Sequence, residues 1–291
     1  MQKNKNKTTI VSMFFDITSF PDATERTRNI DFYLEHGKEM LRLPYPLLFF
    51  CGEASLAKIQ AIRGTEYPTK YIVKEWKEYD YVQRNWNTIH ENRKKSVKYQ
   101  NKNLKSTVSY YLLTLFKFIA IKIAKDENPF DSSHFAWVDL GSNYICRNMR
   151  ECASTIIENP RPKVTVMYIH YRSKKELEDM KHYMEYGNMC GIAANMFTVE
   201  KEYVDRFYHA MFSIFHEMTE KGVGHFEEQI MTYGYDRYPE LFELYYGDYC
   251  SVFQNYHASI ADIPSIEKWF INICLESNRE DLAENARRSI K

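Results

Sequence analysis

The 291-residue sequence lacks the cysteine patterns of disulfide-rich and zinc-binding proteins. Its six cysteines include no C-x-x-C pair, and no histidine stands at zinc-finger spacing from them. Isolated thiols in mostly apolar surroundings are typical of reduced core residues in a cytosolic protein. The first residues, Met1 to Lys7, contain no apolar signal segment. We therefore expect a cytoplasmic protein.

An excess of charge of either sign is also absent. Lys plus Arg and Asp plus Glu number 39 each, so net charge gives no reason to expect a nucleic-acid partner. The best candidate for a membrane span, Val108 to Ala124, is short and carries Lys117 and Lys122. We predict a buried helix there, and at most peripheral association with a membrane.

Several motifs of well-known enzyme classes are missing as well. The sequence has no G-x-x-x-x-G-K-[ST] and no G-x-G-x-x-G after a strand, so it supports neither a P-loop nor a dinucleotide site. It has no G-x-S-x-G nucleophile elbow. His216-Glu217 lacks the second histidine of the zinc-protease motif H-E-x-x-H. Catalysis, if present, must use another arrangement of residues.

What the sequence does contain is an alternation of apolar β-rich runs with helical patterns. Such alternation indicates a mostly parallel sheet covered by helices. We predict an α/β fold with a mixed, mostly parallel sheet, in one domain over residues 1–291 with a helical C-terminal extension at about 258–291. The predicted strands are Thr9 to Phe15, Pro46 to Cys51, Tyr71 to Val73, His134 to Leu140, Lys163 to Ile169 and Tyr249 to Phe253, with a strand or loop at Gly187 to Phe197. The clearest predicted helices are Thr24 to Leu41, Glu53 to Arg63 and Lys201 to Lys221.

The strongest candidate for a functional group is Asp139, in Trp137-Val138-Asp139-Leu140-Gly141. An Asp at the tip of a buried strand emerges at the carboxyl edge of the sheet, where open α/β sheets bind ligands. Gly141 allows a sharp turn or a close approach of the backbone to a ligand. A carboxylate there suits a hard divalent cation that carries phosphates. The alternative is a structural cap on the following loop.

Two later segments suggest a transfer reaction. Gly191 to Asn195 is rich in small residues, and the acidic pair Glu227-Glu228 precedes an apolar helix. Together with Asp139 they suit transfer from a diphosphate-activated donor, in which a cation stabilises the leaving group and a carboxylate acts as base. An acidic pair that merely favours a helix N-terminus is the alternative.

At this point the chain resembles the bacterial HtrL/YibB family. Trp137 to Gly141 matches that family's W-[IV]-D-x-G motif. The family is similar to glycosyltransferases of the GT-A fold, in which a D-x-D motif holds Mn²⁺ or Mg²⁺ and the nucleotide-sugar diphosphate. This chain has Asp139-Leu140-Gly141 and so carries only one of the two carboxylates of that motif. The remaining motifs that carry the resemblance are Thr8 to Ile17, Arg28, Tyr33-Leu34, Glu228-Gln229, Pro239 to Phe242, Tyr246 to Tyr249 and Asn255-Tyr256.

The resemblance implies a GT-A-like, metal-assisted glycosyltransferase. The donor would be a nucleoside-diphosphate sugar, UDP-linked by preference, and the acceptor a glycan or glycolipid in polysaccharide biosynthesis. Two rival functions stay open: a non-catalytic nucleotide-sugar or glycan-binding protein on the same fold, and a metal-dependent nucleotide-sugar hydrolase.

The resemblance also gives roles to individual residues. Glu228 would be the base or a sugar-positioning carboxylate, and Asp139 would bind the cation or the donor ribose. His257 would complete the metal site, since neutral imidazole suits Mn²⁺. Ordinary structural roles are the alternatives, such as a surface Arg or a Lys that reaches solvent along its stem. The residues expected around the donor are Phe14, Phe15, Asp16, Arg28, Lys117 and Asn195.

Overall fold

The computed structural model describes residues 8–24, 27–96, 107–146, 148–170, 172–186, 191–224, 226–257 and 271–289. A seven-stranded sheet with the order β3-β2-β1-β4-β6-β5-β7 forms its centre. The strands are Thr8–Phe14 (β1), Leu47–Cys51 (β2), Thr69–Val73 (β3), His134–Val138 (β4), Val164–Tyr168 (β5), Ile192–Glu200 (β6) and Phe242–Tyr246 (β7).

Helices cover both faces of this sheet. One face packs on α3, α4, α8 and α9, and the other on α1, α2 and α5, each with its own apolar core. Residues 271–276 are also helical. The helices are Ile30–Leu41 (α1), Glu53–Arg63 (α2), Asp80–Lys95 (α3), Val108–Glu127 (α4), Met149–Glu158 (α5), Lys174–Glu178 (α6), Met180–Tyr186 (α7), Val204–Glu220 (α8), Glu227–Arg237 (α9) and Glu280–Ser289 (α10).

The predicted fold class, a mixed and mostly parallel sheet covered by helices, is confirmed. Strands β3, β2, β1 and β4 run parallel to one another, and β5 runs parallel to β7. Only β6 is reversed, and it pairs antiparallel with β4 and β5. The first residues of β6 therefore lie beside the last residues of β4, at the carboxyl edge of the parallel strands.

One predicted strand is wrong. Tyr249 to Phe253 is not a strand: a 3₁₀ turn covers Tyr249–Ser251, and the last strand is the earlier β7. The cause is a local cap, because the carboxylate of Asp248 accepts hydrogen bonds from the backbone N–H groups of Cys250 and Ser251. A side chain that satisfies two successive backbone donors favours a tight turn over an extended strand.

Two other segments differ from prediction in their boundaries. Helix α1 begins at Ile30 rather than near Thr24, because Asn29 caps it by accepting a hydrogen bond from the Phe32 N–H. The small-residue segment from Gly191 is the start of β6, while Gly187 to Cys190 lie outside the described residues. Of the predicted C-terminal extension, 258–270 also lie outside them, and α10 contributes buried Leu282 to the core.

The buried helix predicted at Val108 to Ala124 is confirmed as α4. It lies on the sheet, with buried residues on every side that include Lys117. Among the helices that the structure describes, none combines the length and the apolar character needed to cross a membrane. Helix α4 thus brings a lysine into the interior of the protein.

Helix α1 packs tightly on the turn that follows β4. At Gly37, an added Cβ would stand 2.9 Å from the Leu140 carbonyl oxygen and closer still to the Leu140 side chain. Distances below 3.0 Å require the neighbour to move, and here part of the neighbour is backbone. A glycine at this position therefore lets α1 approach the Asp139 turn.

We predict that Gly37→Ala destabilises the protein by about 1–3 kcal/mol, the usual cost of overpacking. In an open helix interior the same change would stabilise the protein by roughly 0.5–1 kcal/mol. The sign of the stability change therefore shows whether α1 is in close contact with Leu140. Urea unfolding measures it, with Glu35→Ala on the exposed face of α1 as control. A stabilised Gly37→Ala protein would contradict the close packing of α1 on Leu140.

Candidate active site

A cavity of about 210 Å³ lies at the carboxyl ends of β1 and β4. Its wall comes from these two strands, the start of β6, α4, and the segment around α1. This is the edge at which open α/β sheets bind ligands. The sequence-predicted residues that line it are Phe14, Phe15, Arg28, Lys117, Asp139 and Asn195.

The floor of the cavity holds a buried ion cluster. The Lys117 ammonium lies 3.0 Å from Oδ1 of Asp139, and it donates hydrogen bonds to Oδ2 of Asp139 at 3.2 Å, to Oε1 of Glu227 at 2.5 Å and to the Ala194 carbonyl oxygen at 3.0 Å. The side chains of Lys117 and Glu227 are only 4% and 6% exposed. An ammonium has three N–H donors, so these three acceptors use all of them. Lys117 does not reach solvent.

Charge and burial act against each other in this cluster. Burial alone lowers the pKa of Lys117, but the carboxylates of Asp139 and Glu227 raise it above its ordinary value. For Asp139, burial raises the pKa of the carboxyl, Lys117 opposes that rise, and Glu227 adds to it. One ammonium therefore serves two carboxyl groups in this cluster.

Asp139 is held in one orientation. Its Oδ1 accepts a 2.6 Å hydrogen bond from the Trp137 indole, and its backbone N–H donates to the Asn195 carbonyl oxygen at 2.9 Å. Its side chain remains 36% exposed, on the cavity. The cap interpretation is therefore incomplete: the Ser142 N–H does bond the Asp139 backbone carbonyl, but the carboxylate itself faces Lys117, Trp137 and the cavity.

Asn195 also lines this cavity. The residue is 7% exposed, and its amide nitrogen donates to the Cys146 sulfur at 3.2 Å. Its Oδ1 is buried and has no hydrogen-bond partner among the described residues. A buried amide oxygen without a donor is costly, which a ligand hydroxyl would relieve.

Two tyrosines that sequence reasoning missed also line the cavity. The pKa of Tyr33 is raised by burial and then by Asp139, while Arg28 and Lys117 oppose the rise. The pKa of Tyr110 is raised well above its ordinary value, chiefly by burial. The charged groups of the site therefore affect the pKa of both hydroxyl groups. With 23 tyrosines in the chain, no local pattern distinguishes these two.

Arg28 stands at the mouth of the cavity with its guanidinium over aromatic rings. Its Cζ lies 4.2 Å from the Phe32 ring centre and 5.0 Å from that of Tyr144. Tyr144 is 52% exposed. Stacking on rings fixes a guanidinium while leaving its edge N–H groups available. Arg28 is thus placed to meet an anion that enters the cavity.

Glu228 lies beside the cluster, close to the backbone of Ala194. Its Oε1 accepts a hydrogen bond from the Tyr249 hydroxyl and stands 3.5 Å from the Ala194 backbone nitrogen. Glu227, which sequence reasoning treated only as half of a pair, faces Lys117 instead. Glu227 thus belongs to the buried cluster, whereas Glu228 takes a partly buried position in which Tyr249 holds it.

Besides Glu228, two predicted site residues, Asp16 and His257, do not line this cavity. Asp16 is exposed after β1, and its carboxylate accepts from the N–H and hydroxyl of Thr18. His257 has its Nε2 3.3 Å from the carbonyl oxygen of Thr155 in α5. Helix α5 covers the face of the sheet opposite to α4 and α9. The structure therefore gives both residues local partners.

The described residues do not fit the divalent-cation site implied by the resemblance. In the part of the chain that the structure covers, no group of three His, Cys, Asp or Glu side chains could hold a metal. The oxygens of Asp139, Glu227 and Ala194 surround an ammonium instead. Metal binding by Asp139 and His257 stays a prediction without support in this geometry.

The chain belongs to the HtrL_YibB family. The family profile, described as "Bacterial protein of unknown function (HtrL_YibB)", matches residues 6–258. The predicted resemblance to this family is thereby confirmed. A comparison with curated proteins found no match.

Three solved structures are similar to this chain at 11–15% identity and with TM-scores below 0.5. Mouse xyloside xylosyltransferase 1 in its apo form is 15% identical, covering 81% of this chain and 83% of that chain, with a TM-score of 0.43. A glycosyltransferase involved in glycosylation of the major capsid of PBCV-1 is 15% identical, with coverages of 83% and 81% and a TM-score of 0.38. Core-mannan synthase A (CmsA/Ktr4) from Aspergillus fumigatus, in its Mn/GDP form, is 11% identical, with coverages of 84% and 74% and a TM-score of 0.46.

We predict that Lys117→Met destabilises the protein by about 3–5 kcal/mol, because it leaves the buried carboxylate of Glu227 and the partly buried carboxylate of Asp139 without their ammonium partner. Adding Glu227→Gln to Lys117→Met should recover part of that loss, since it removes one of the two charges. Urea unfolding of the single and double variants measures both effects. Lys122→Met, in the same helix but in a surface ion pair, should cost under about 1 kcal/mol. Equal losses for Lys117→Met and Lys122→Met would contradict the cluster.

Proposed function

We propose that this protein is a glycosyltransferase that moves a sugar from a nucleoside-diphosphate sugar to a hydroxyl group of a glycan acceptor in the cytoplasm. One observation carries the proposal: Asp139, Asn195 and Arg28 converge on one aromatic-walled cavity at the carboxyl edge of the sheet. Asp139 and Asn195 can accept hydrogen bonds from hydroxyl groups, and the stacked guanidinium of Arg28 can bind a phosphate. Together they suit a ligand that carries both kinds of group. Family membership is consistent with this function but does not define it.

The donor is accommodated by three kinds of contact. Phe15 and Tyr110 offer rings on the wall for a nucleobase. The Arg28 fork suits a phosphate at the mouth. The carboxylate of Asp139 and the amide oxygen of Asn195 accept hydrogen bonds from ribose or sugar hydroxyls. UDP-linked sugars are the donor class to test first, as the resemblance implies.

Glu228 is the proposed general base. In the transfer, the acceptor oxygen forms a bond to the anomeric carbon as the bond from that carbon to the diphosphate oxygen breaks. The acceptor proton passes to Glu228, and the nucleoside diphosphate departs with the bonding electron pair. Tyr249 holds Glu228 by a hydrogen bond. A positioned base of this kind contributes typically 10²–10⁴-fold.

Nucleotide binding tests the donor site directly. We predict that one of UDP, GDP, CMP or ADP, or a sugar conjugate of one of them, raises the thermal unfolding midpoint, by an amount corresponding to about 2.7 kcal/mol when the ligand is at 100 times its Kd. Asp139→Asn should weaken that shift, because an amide replaces the charged acceptor. Asp80→Asn, an exposed carboxylate in the first turn of α3, is the matched control and should leave the shift unchanged. No shift with any nucleotide would reject the donor-site assignment.

A second prediction separates transfer from binding and from hydrolysis. Glu228→Gln should keep the nucleotide-induced shift but lower the rate of sugar transfer by about 10²–10⁴-fold. Release of nucleoside diphosphate, measured with and without a glycan acceptor, gives the rate. A rate that the acceptor does not raise would favour a hydrolase. Nucleotide binding without turnover of any donor would favour the non-catalytic binding protein.

A further inference from the structure

Lys117 occupies the place in which a cation would bridge the acidic groups of this site. Its ammonium is surrounded by oxygens from the turn after β4, from β6 and from α9: Asp139 at 3.0 Å, Ala194 at 3.0 Å and Glu227 at 2.5 Å. Two carboxylates and a carbonyl are the ligand types that hard divalent cations prefer. Here they are arranged around a nitrogen at hydrogen-bond distances.

The local backbone explains why these oxygens point inward. Strand β6 extends beyond the end of β4, whose last paired residue, Val138, stands opposite Met196. The pairing of β6 with β5 also shifts register between Thr165 and Met167. The Ala194 carbonyl is therefore available to Lys117. Ala194 lies within the sheet, Asp139 directly follows β4, and Glu227 begins α9, so each acceptor belongs to or adjoins a regular element.

A divalent cation bound to Asp139 would stand within a few ångströms of the ammonium. Like charges at such distances repel strongly in a water-poor site. Asp139 also already accepts hydrogen bonds from Lys117 and Trp137. Its remaining acceptor capacity faces the cavity next to the buried Oδ1 of Asn195. These two oxygens suit ligand hydroxyl groups, which donate hydrogen bonds, better than they suit a metal ion.

We propose that Lys117 is the resident cation of this site, so that Asp139 and Asn195 bind ligand hydroxyl groups and ligand binding needs no divalent metal. The proposal concerns the same cavity as the glycosyltransferase function. Its cation part can be tested without any nucleotide. In this arrangement Arg28, rather than a metal, is the described group that meets the phosphates.

The test is Mn²⁺ binding to the full-length protein, measured from the electron paramagnetic resonance signal of free Mn²⁺. In the wild-type protein Asp139 should hold no Mn²⁺, so Asp139→Asn should abolish no Mn²⁺ binding. Lys117→Met frees the oxygens of Asp139, Glu227 and Ala194, and should bind Mn²⁺ more tightly than wild type by more than tenfold, or about 1.4 kcal/mol. Mn²⁺ should also raise the unfolding midpoint of Lys117→Met. Lys122→Met, with its surface lysine removed from the same helix, should behave as wild type.

Two results would overturn the proposal. One is Mn²⁺ binding by the wild-type protein that is lost in Asp139→Asn. This result can be established without a folded Lys117 variant. The other is a folded Lys117→Met that gains no affinity for Mn²⁺. The nucleotide experiment is read separately: a UDP-induced shift that is equal in EDTA and in Mn²⁺ supports the proposal, and one that requires Mn²⁺ contradicts it. If no nucleotide shifts the unfolding midpoint, the donor-site assignment is rejected. The Mn²⁺ measurements then still decide whether Lys117 is the resident cation.

Discussion

The arrangement of the site depends on one buried ammonium group. Lys117 enters from an apolar helix, and a charge at that depth is tolerated only when it is paired and fully hydrogen-bonded. The partners come from three separate segments: the turn after β4, strand β6 and helix α9. The hydrogen bonds of Lys117 therefore fix the end of β4, the start of β6 and the first turn of α9 relative to one another. The same contacts orient the Asp139 carboxylate toward the cavity.

The reversed strand β6 makes this arrangement possible. A further parallel strand beside β4 would present its own carboxyl end at this edge. Because β6 is antiparallel, it brings its first residues there instead, so Ala194 and Asn195 stand next to Asp139. One strand then supplies both an acceptor for Lys117 and an amide at the cavity. The fold and the candidate chemistry are connected through the direction of this strand.

Local sequence patterns were enough to find parts of this site. Asp139 was found because an apolar strand followed by Asp and a nearby Gly marks the sheet edge. Lys117 was expected near the donor. The resemblance favoured Glu228 as the base, but which of Glu227 and Glu228 faces Lys117 could not be told from sequence. Successive residues in a helix point about 100° apart, so the answer depends on where α9 begins.

Other features depend on contacts between distant segments, which composition and spacing do not reveal. His257 follows the Tyr249–Ser251 turn, which sequence reasoning took for a strand, and its ring contacts Thr155 of α5. Tyr33 and Tyr110 reach the cavity from different helices, and each resembles the other tyrosines in its neighbourhood. The sheet itself was predictable because alternating apolar runs and helices leave few arrangements. The partners of individual polar side chains were not.

The most direct test of the central claim is a crystal structure of the protein with a bound nucleoside diphosphate. The account predicts ligand density in the cavity, with a hydroxyl group within about 3 Å of Asp139 and Asn195 and phosphate oxygens near Arg28. The Lys117 ammonium should remain between Asp139 and Glu227. A nucleotide bound elsewhere on the protein, or a Lys117 side chain displaced by a metal ion that Asp139 coordinates, would contradict it.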